Sequence, residues 1–154
     1  QPTQFQVVKY LPDGDEDLGI APTSSDPTAA GNDWIVLRYS DVLLMHVEAI
    51  MAGSNSTNVQ AALDSFEEVR LRAGLLADDD NNITKQELLD ERRVELAYEN
   101  HRLFDLVRFG EAQNVLSAFS TANGYNFNSS DLLLPIPQRE INLSNGVLTQ
   151  NPGY

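Results

Sequence analysis

Along most of this chain the apolar residues recur with the period of a helix rather than the alternation of a strand. Leu37, Leu44, Val47 and Met51 share one face of residues 35–51, with Leu43 and Ile50 beside it, which predicts a helix buried on more than one side. Asn32 or Asp33 stands where that helix needs its cap. Gly53 stops it, and the polar SNST makes a short connection. A second stripe, Val59, Ala62, Leu63, Phe66, Val69 and Ala73, predicts a helix over residues 58–73, ended by Gly74. Two helices of this length with so short a link lie antiparallel, as in one unit of a helical-repeat array. A lone pair cannot bury both its faces, so another part of the fold must cover it.

The third periodic stretch opens at Thr84, which forms a capping box with Glu87. It runs to Phe109, longer than most globular helices, so a break is expected near Asn100 and His101. A further segment then runs from Leu103 into Ala112, and EAQNVLSAF continues helically. TANGYNFNSS, residues 121–130, has the composition of a loop. LLLPIP is a short extended segment whose prolines limit its pairing, QREI starts a turn of helix, and NPGY closes in a turn. At the other end residues 4–11 alternate like one short strand. Residues 12–33, with three prolines and three glycines, form a long irregular tract.

Within the third stretch, Arg92, Glu95, Glu99 and Arg102 recur at steps of three, four and three, with Leu88 and Leu106 at the ends of their stripe. Beside it runs an apolar row, Leu89, Leu96, Leu103 and Val107. Burying one row brings the other close to the core, so the charges must pair. Arg92 with Glu95, Glu99 with Arg102 and Arg102 with Asp105 stand three apart, and both glutamates can share partners from other elements. A catalytic use of Glu95 and Glu99 fits less well. Each has an arginine at pairing distance, which lowers a carboxyl's pKa and makes it a poor proton donor. Glu99-Asn100-His101 is not the Glu-x-x-His of a di-iron bundle and has no second copy. The quartet therefore reads as an internal brace, and Arg102→Ala is expected to cost about 3 kcal/mol by stranding Glu99.

Composition narrows the chemistry. A net charge of -13 and a pI near 4.3 repel nucleic-acid phosphates and anionic membrane surfaces, whereas an uncharged sugar meets no such penalty. Two histidines and no cysteine leave no ordinary zinc site. His46, inside an apolar run, reads as a core residue. LPDGDEDLG and ADDDNN are acidic, yet neither has the ligand spacing and terminal glutamate of a calcium loop, so no metal and no cofactor is expected. No apolar run is long enough to span a membrane, and QPTQFQVV lacks the plan of a signal peptide. For ligand contact the candidates are Tyr125 and Asn126, a ring and an amide suited to hydroxyl-rich ligands, with Asn128 beside them. Trp34 is a third; just ahead of a helix it reads first as a packing anchor and second as a sugar-stacking ring.

Four motifs, in order, resemble the C-terminal portion of the SusD/RagB family of surface glycan-binding proteins. They are LRYSDVLLMHVEAI (37–50), EEVRLRAGL (67–75), ERRVELAYENHRLFDLVRFG (91–110), and LLLPIPQREI (132–141) with QNPGY (150–154). Departures are Asn100 where glycine is usual, Tyr98 where phenylalanine is common and His46 where tyrosine is frequent. The resemblance implies a mainly α fold: a tetratricopeptide-like helix pair, further helices and long irregular loops, part of an α-α superhelix. Residues 1–33 would be its strand and loop, and 34–154 its helical core and closing segment. It implies a non-catalytic protein on the outer-membrane surface that captures oligosaccharide or polysaccharide for a SusC-like TonB-dependent transporter. Its lipid anchor and most of its ligand contacts would lie outside this chain. The other readings of the residues are a helical-repeat protein-interaction module and a glycosidase, the latter needing two carboxylates across an open cleft.

Overall fold

The computed structural model describes residues 9–10, 19, 21, 33–75 and 81–154, and helix dominates them. The strand expected over 4–11 lies mostly outside these residues; Lys9 and Tyr10 within it form a turn. Most of residues 12–33 and the acidic 76–80 also lie outside them.

The helix pair forms from α1 (Tyr39–Met51) and α2 (Gln60–Arg72). Leu44, Val47 and Met51 of α1 meet Ala62, Phe66 and Val69 of α2, and Leu43, Ile50 and Leu63 pack at the edge. Burying that apolar surface is the main reason the two helices hold together. Two expectations fail here. The helix starts at Tyr39, with extended Arg38 as its cap residue, and neither Asn32 nor Asp33 caps it. Leu37 is therefore outside the helix and exposed. The cause is a tertiary bond: Arg38 reaches Glu95 and Glu99, a demand that local periodicity does not encode. His46 is exposed on the outer flank, where its Nδ1 lies 2.9 Å from Ser65 Oγ; it is not a core residue.

The connection between the helices is more than polar linker. Ser56–Thr57 (β1) pairs antiparallel with Ile83–Thr84 (β2), Ser56 opposite Thr84 and Thr57 opposite Ile83. That bridge, with the Lys85 amide donating to Asn55 O at 2.8 Å, fixes the start of α3 (Lys85–Glu95) against the pair. The capping box forms as the sequence indicates: Thr84 accepts from the Glu87 amide, and the Glu87 carboxylate accepts from Thr84 N–H.

The long third helix is not continuous. It ends at Glu95, and α4 (Arg102–Arg108) begins after a turn in which Tyr98 and Asn100 take left-handed φ of 66° and 67°. Asparagine tolerates that conformation better than any residue but glycine. Because the break comes at residue 96, earlier than expected, the helical register is reset. Leu88 and Leu106 are fully buried, whereas Leu103 and Val107 of the expected apolar row are exposed.

Gly110, at φ 76°, separates α4 from α5 (Ala112–Asn123), which takes in the first three residues of the expected 121–130 loop. A 3-10 turn (Ser129–Leu132) and α6 (Gln138–Leu143) follow, neither with a buried residue. The two halves of the closing motif clasp each other through one amide. Gln150 accepts from the Ile136 amide at 2.8 Å and donates to Ile136 O at 2.9 Å, while Asn151 donates to Leu134 O. Pro135 and Pro137 have no N–H to offer, so Ile136 is the residue that can be read this way. Gly153 lies against Ser130, where an added Cβ would approach the serine Cβ to 2.9 Å, so a larger residue would force the clasp apart.

Candidate functional site

Charge builds the frame, and it joins three of the four sequence motifs. Arg92, 3% exposed, donates from Nη1 to Asp41 of α1 at 2.8 Å and from Nε to Asp105 of α4 at 2.9 Å. Arg108 also donates to Asp105, and it pairs with Glu48. A second cluster surrounds Glu95 and Glu99. Arg38 Nε meets both Glu99 oxygens at 2.9 Å, its Nη1 meets Glu95 at 2.6 Å, Arg72 reaches Glu95 from α2, and Lys9 reaches Glu99. Arg70 pairs with Glu91 at 3.1 Å.

These contacts correct the expected pairing. Arg92 does not pair with Glu95, nor Arg102 with Glu99 or Asp105: Arg92 is taken by Asp41 and Asp105, Glu95 by Arg38 and Arg72, and Glu99 by Arg38 and Lys9. Glu91, Glu95 and Glu99 each find their cations on other elements, and Asp105 takes Arg92 of α3 as well as Arg108 of its own helix. Arg102 instead donates to Leu89 O at 3.1 Å, and among the described residues it meets no carboxylate. Burial first, and then the like charge of Arg93, pull its pKa down.

Burial alone would push the Glu95 carboxyl up. Hydrogen bonds from Arg38 and Ser40 and the charges of Arg38 and Arg72 outweigh it and hold the group below the usual carboxylate range. Glu99 is held low in the same way, by Arg38 and Lys9. Carboxylates kept ionised and fully engaged cannot donate a proton at neutral pH. A depression of about 580 Å³ passes over this frame, lined by Asp41, Glu48, Arg92, Asp105 and Arg108, but those side chains face one another.

The predicted ligand residues fall in two other places. Trp34 is 58% exposed and lies outside the core; among the described residues its ring stacks on that of Tyr10, centroids 5.3 Å apart and planes within 5°. It borders a depression of about 260 Å³ with Tyr98, Asn100 and His101, whose charged lining is Arg92, Arg93 and Arg102.

Tyr125 and Asn126 share a separate depression of about 390 Å³ at the end of α5. Ser117, Ser120 and Thr121, at positions i, i+3 and i+4 of that helix, form one wall, and Asn128 closes the other side. None of the lining side chains carries a charge. The sequence reading missed the hydroxyl wall, although three small hydroxylated residues on one helix face were there to be seen. It also missed Phe119, whose ring packs on that of Tyr125 with centroids 6.1 Å apart.

Comparison with known proteins agrees with the frame. The model of the SusD family matches residues 2–154. The SusD-like protein P2 of Formosa agariphila is 32% identical over 138 residues, covering 81% of this chain and 26% of that protein. The SusD-like protein P38 of the same organism is 30% identical over 151 residues, covering 91% and 29%. Surface glycan-binding protein A from Bacteroides thetaiotaomicron superposes with a TM-score of 0.67 at 34% identity, covering 84% of this chain and 26% of that one. The same protein in complex with laminarihexaose matches equally well, with a TM-score of 0.67 at 34% identity over 83% of this chain and 27% of that one. The chain thus spans roughly a quarter of the length of these relatives.

Proposed function

Because the chain belongs to the SusD family, we propose that it serves a non-catalytic, surface-exposed glycan-binding protein of the bacterial outer membrane. That protein is held by a lipid anchor and delivers oligosaccharide or polysaccharide to a SusC-like TonB-dependent transporter. The observation that carries this reading is the match of the family model over essentially the whole chain, beside a neighbour of the same fold solved with laminarihexaose. The local chemistry supports it. The ionisable groups of the longest motif are committed to one another, so they supply binding scaffold rather than an acid and a base. Tyr125, Asn126 and Trp34 are the residues proposed to touch the glycan.

The experiment is binding of the full-length protein to a panel of neutral and acidic oligosaccharides by calorimetry, with affinity purification from membranes. We expect binding to at least one glycan without its cleavage, and recovery of a TonB-dependent transporter. Cleavage of the bound glycan would contradict the non-catalytic assignment. Absence of any glycan binding, with recovery of a peptide partner instead, would favour a helical-repeat interaction module.

A further inference from the structure

The depression at the end of α5 is organised by the way that helix stops. Gly124 takes a left-handed φ of 71°, and the Tyr125 amide turns back to donate to Ser120 O at 2.9 Å. The reversal lays the Tyr125 ring beside Phe119, at an interplanar angle of 26°, yet leaves it 65% exposed. A ring fixed from one side and open from another is a platform made before any ligand arrives.

The polar groups beside it are incompletely used. Ser120 is 6% exposed, and its Oγ meets no hydrogen-bond partner among the described residues. A buried hydroxyl in that state is destabilising until something bonds to it. Ser117 Oγ accepts from Gln113 but keeps its own proton to donate. Thr121 donates to Ser117 O and keeps its lone pairs. Asn128 opens the 3-10 turn through its backbone, its carbonyl accepting from the Asp131 amide at 2.9 Å and its N–H donating to the Asp131 carboxylate at 2.8 Å, and among the described residues its side-chain NH₂ has no acceptor.

The chemistry of the occupant follows. An anion would find no cation in the lining and would approach against a net charge of -13; a cation would find no carboxylate. A purely apolar ligand would leave Ser120 unpaired. A ring with one C–H face for Tyr125 and hydroxyls at its edge satisfies Ser117, Thr121 and Asn128, and Ser120 once its buried hydroxyl turns outward. The volume of about 390 Å³ also lies in the range of small-ligand sites.

Resting on the glycan-binding reading, we propose that this depression is a preformed subsite for an uncharged sugar of the captured glycan. Tyr125 is its stacking platform, and Ser117, Ser120, Asn126 and Asn128 are its hydrogen-bonding edge. It therefore selects neutral over uronic or sulfated units.

The test is calorimetry of the full-length protein and its Tyr125→Ala and Asn126→Ala variants. The probes are neutral hexaoses (laminari-, cello-, xylo- and mannohexaose) and acidic ones (hexagalacturonate and an alginate hexamer). We expect a neutral hexaose to bind more tightly than the acidic ones and to weaken roughly five- to tenfold in Tyr125→Ala. Residues 117–128 should gain hydrogen-exchange protection when it binds, and the melting temperature of the variant should not change. Unchanged affinity in both variants would overturn the subsite while leaving glycan capture standing. Preference for an acidic hexaose would overturn the neutral assignment and move the ligand to the arginine-lined depression beside Trp34. Variants that bind glycan normally but lose the transporter would assign this face to a protein partner instead. Failure of the unaltered protein to bind any of the probes or to recover a transporter would remove the glycan reading itself, and this subsite with it.

Discussion

The two ends of the described fold solve the problem of polar groups in opposite ways. From α1 through α4, charged side chains are drawn into the interior and answered there: Asp41, Arg92, Glu95, Glu99 and Asp105 are all buried and all paired. From α5 onward, most of the polar side chains are uncharged and near the surface, and only Ala112 and Ser120 of that helix are buried. A paired buried charge demands one geometry and punishes any departure from it. Exposed amides and hydroxyls demand none, and so remain open to a ligand. Frame and proposed contact surface are thereby separated along the chain.

The contrast is broken most severely at Arg92. Arg92→Ala strands buried Asp41 on α1 and leaves buried Asp105 on α4 with Arg108 alone, so the loss is expected to reach about 3–5 kcal/mol. Urea unfolding of the full-length protein checks it, and a loss below about 1 kcal/mol would mean that the cluster is solvated. The same frame should carry a pH signature. Glu95 and Glu99 have folded pKa values below their unfolded ones, so the unfolded chain binds more protons and stability rises with pH through that window. Their contribution is complete above the unfolded carboxylate value of about 4.3 and is lost as pH falls through the folded values. Glu99→Gln should flatten the dependence of the urea midpoint between about pH 5 and about pH 3. Because protonation also relieves the repulsion of a chain at -13, the difference between the two proteins is the quantity to read. Parallel profiles would show that Glu99 takes no part.

How far the sequence disclosed this arrangement follows from the range of each interaction. Signals spanning a few residues were legible: the Thr84–Glu87 capping box, the stop at Gly74, the stripes of α1 and α2, and the helical turn at QREI. The existence of a charge network was legible too, since a charged row beside a greasy one must pair. Its wiring was not. Arg38 lies 57 residues from Glu95, and Arg92 lies 51 from Asp41, and no spacing rule reaches so far. Spacing within each helix then assigned Arg92 and Arg102 the wrong partners, and placing the helix break a few residues late put Leu103 and Val107 in the apolar row. At the proposed subsite, Tyr125 and Asn126 stood out in the sequence because their types are unusual together, and the structure places both on one depression. The hydroxyl wall did not stand out, because serine and threonine on a helix suggest nothing until a turn brings a ring opposite them.

The surface half can be loosened without touching the frame. Gln150→Ala removes both bonds to Ile136 and should cost about 1–2 kcal/mol, confined to the closing segment. Hydrogen exchange at the Ile136 amide should accelerate while amides of α1 keep their protection. Equal acceleration in both would mean that the clasp supports the core.

The smallest effect falls where the sequence placed a large one. Arg102 belongs to the charged stripe by spacing, and the cost expected of its removal rested on stranding Glu99. In the structure Glu99 is already answered by Arg38 and Lys9, and Asp105 by Arg92 and Arg108. Arg102→Ala then loses one bond to the Leu89 carbonyl and the attraction of Asp90 and Asp105, but relieves the burial of a charge and the repulsion from Arg93, changes of opposite sign. A net loss of about 1 kcal/mol or less is expected. Compared with Arg92→Ala in the same unfolding assay, the two arginines, ten positions apart in one motif, should differ severalfold. Equal losses would mean that Arg102 is tied into the frame by a partner outside the described residues, and that the division between frame and surface runs elsewhere.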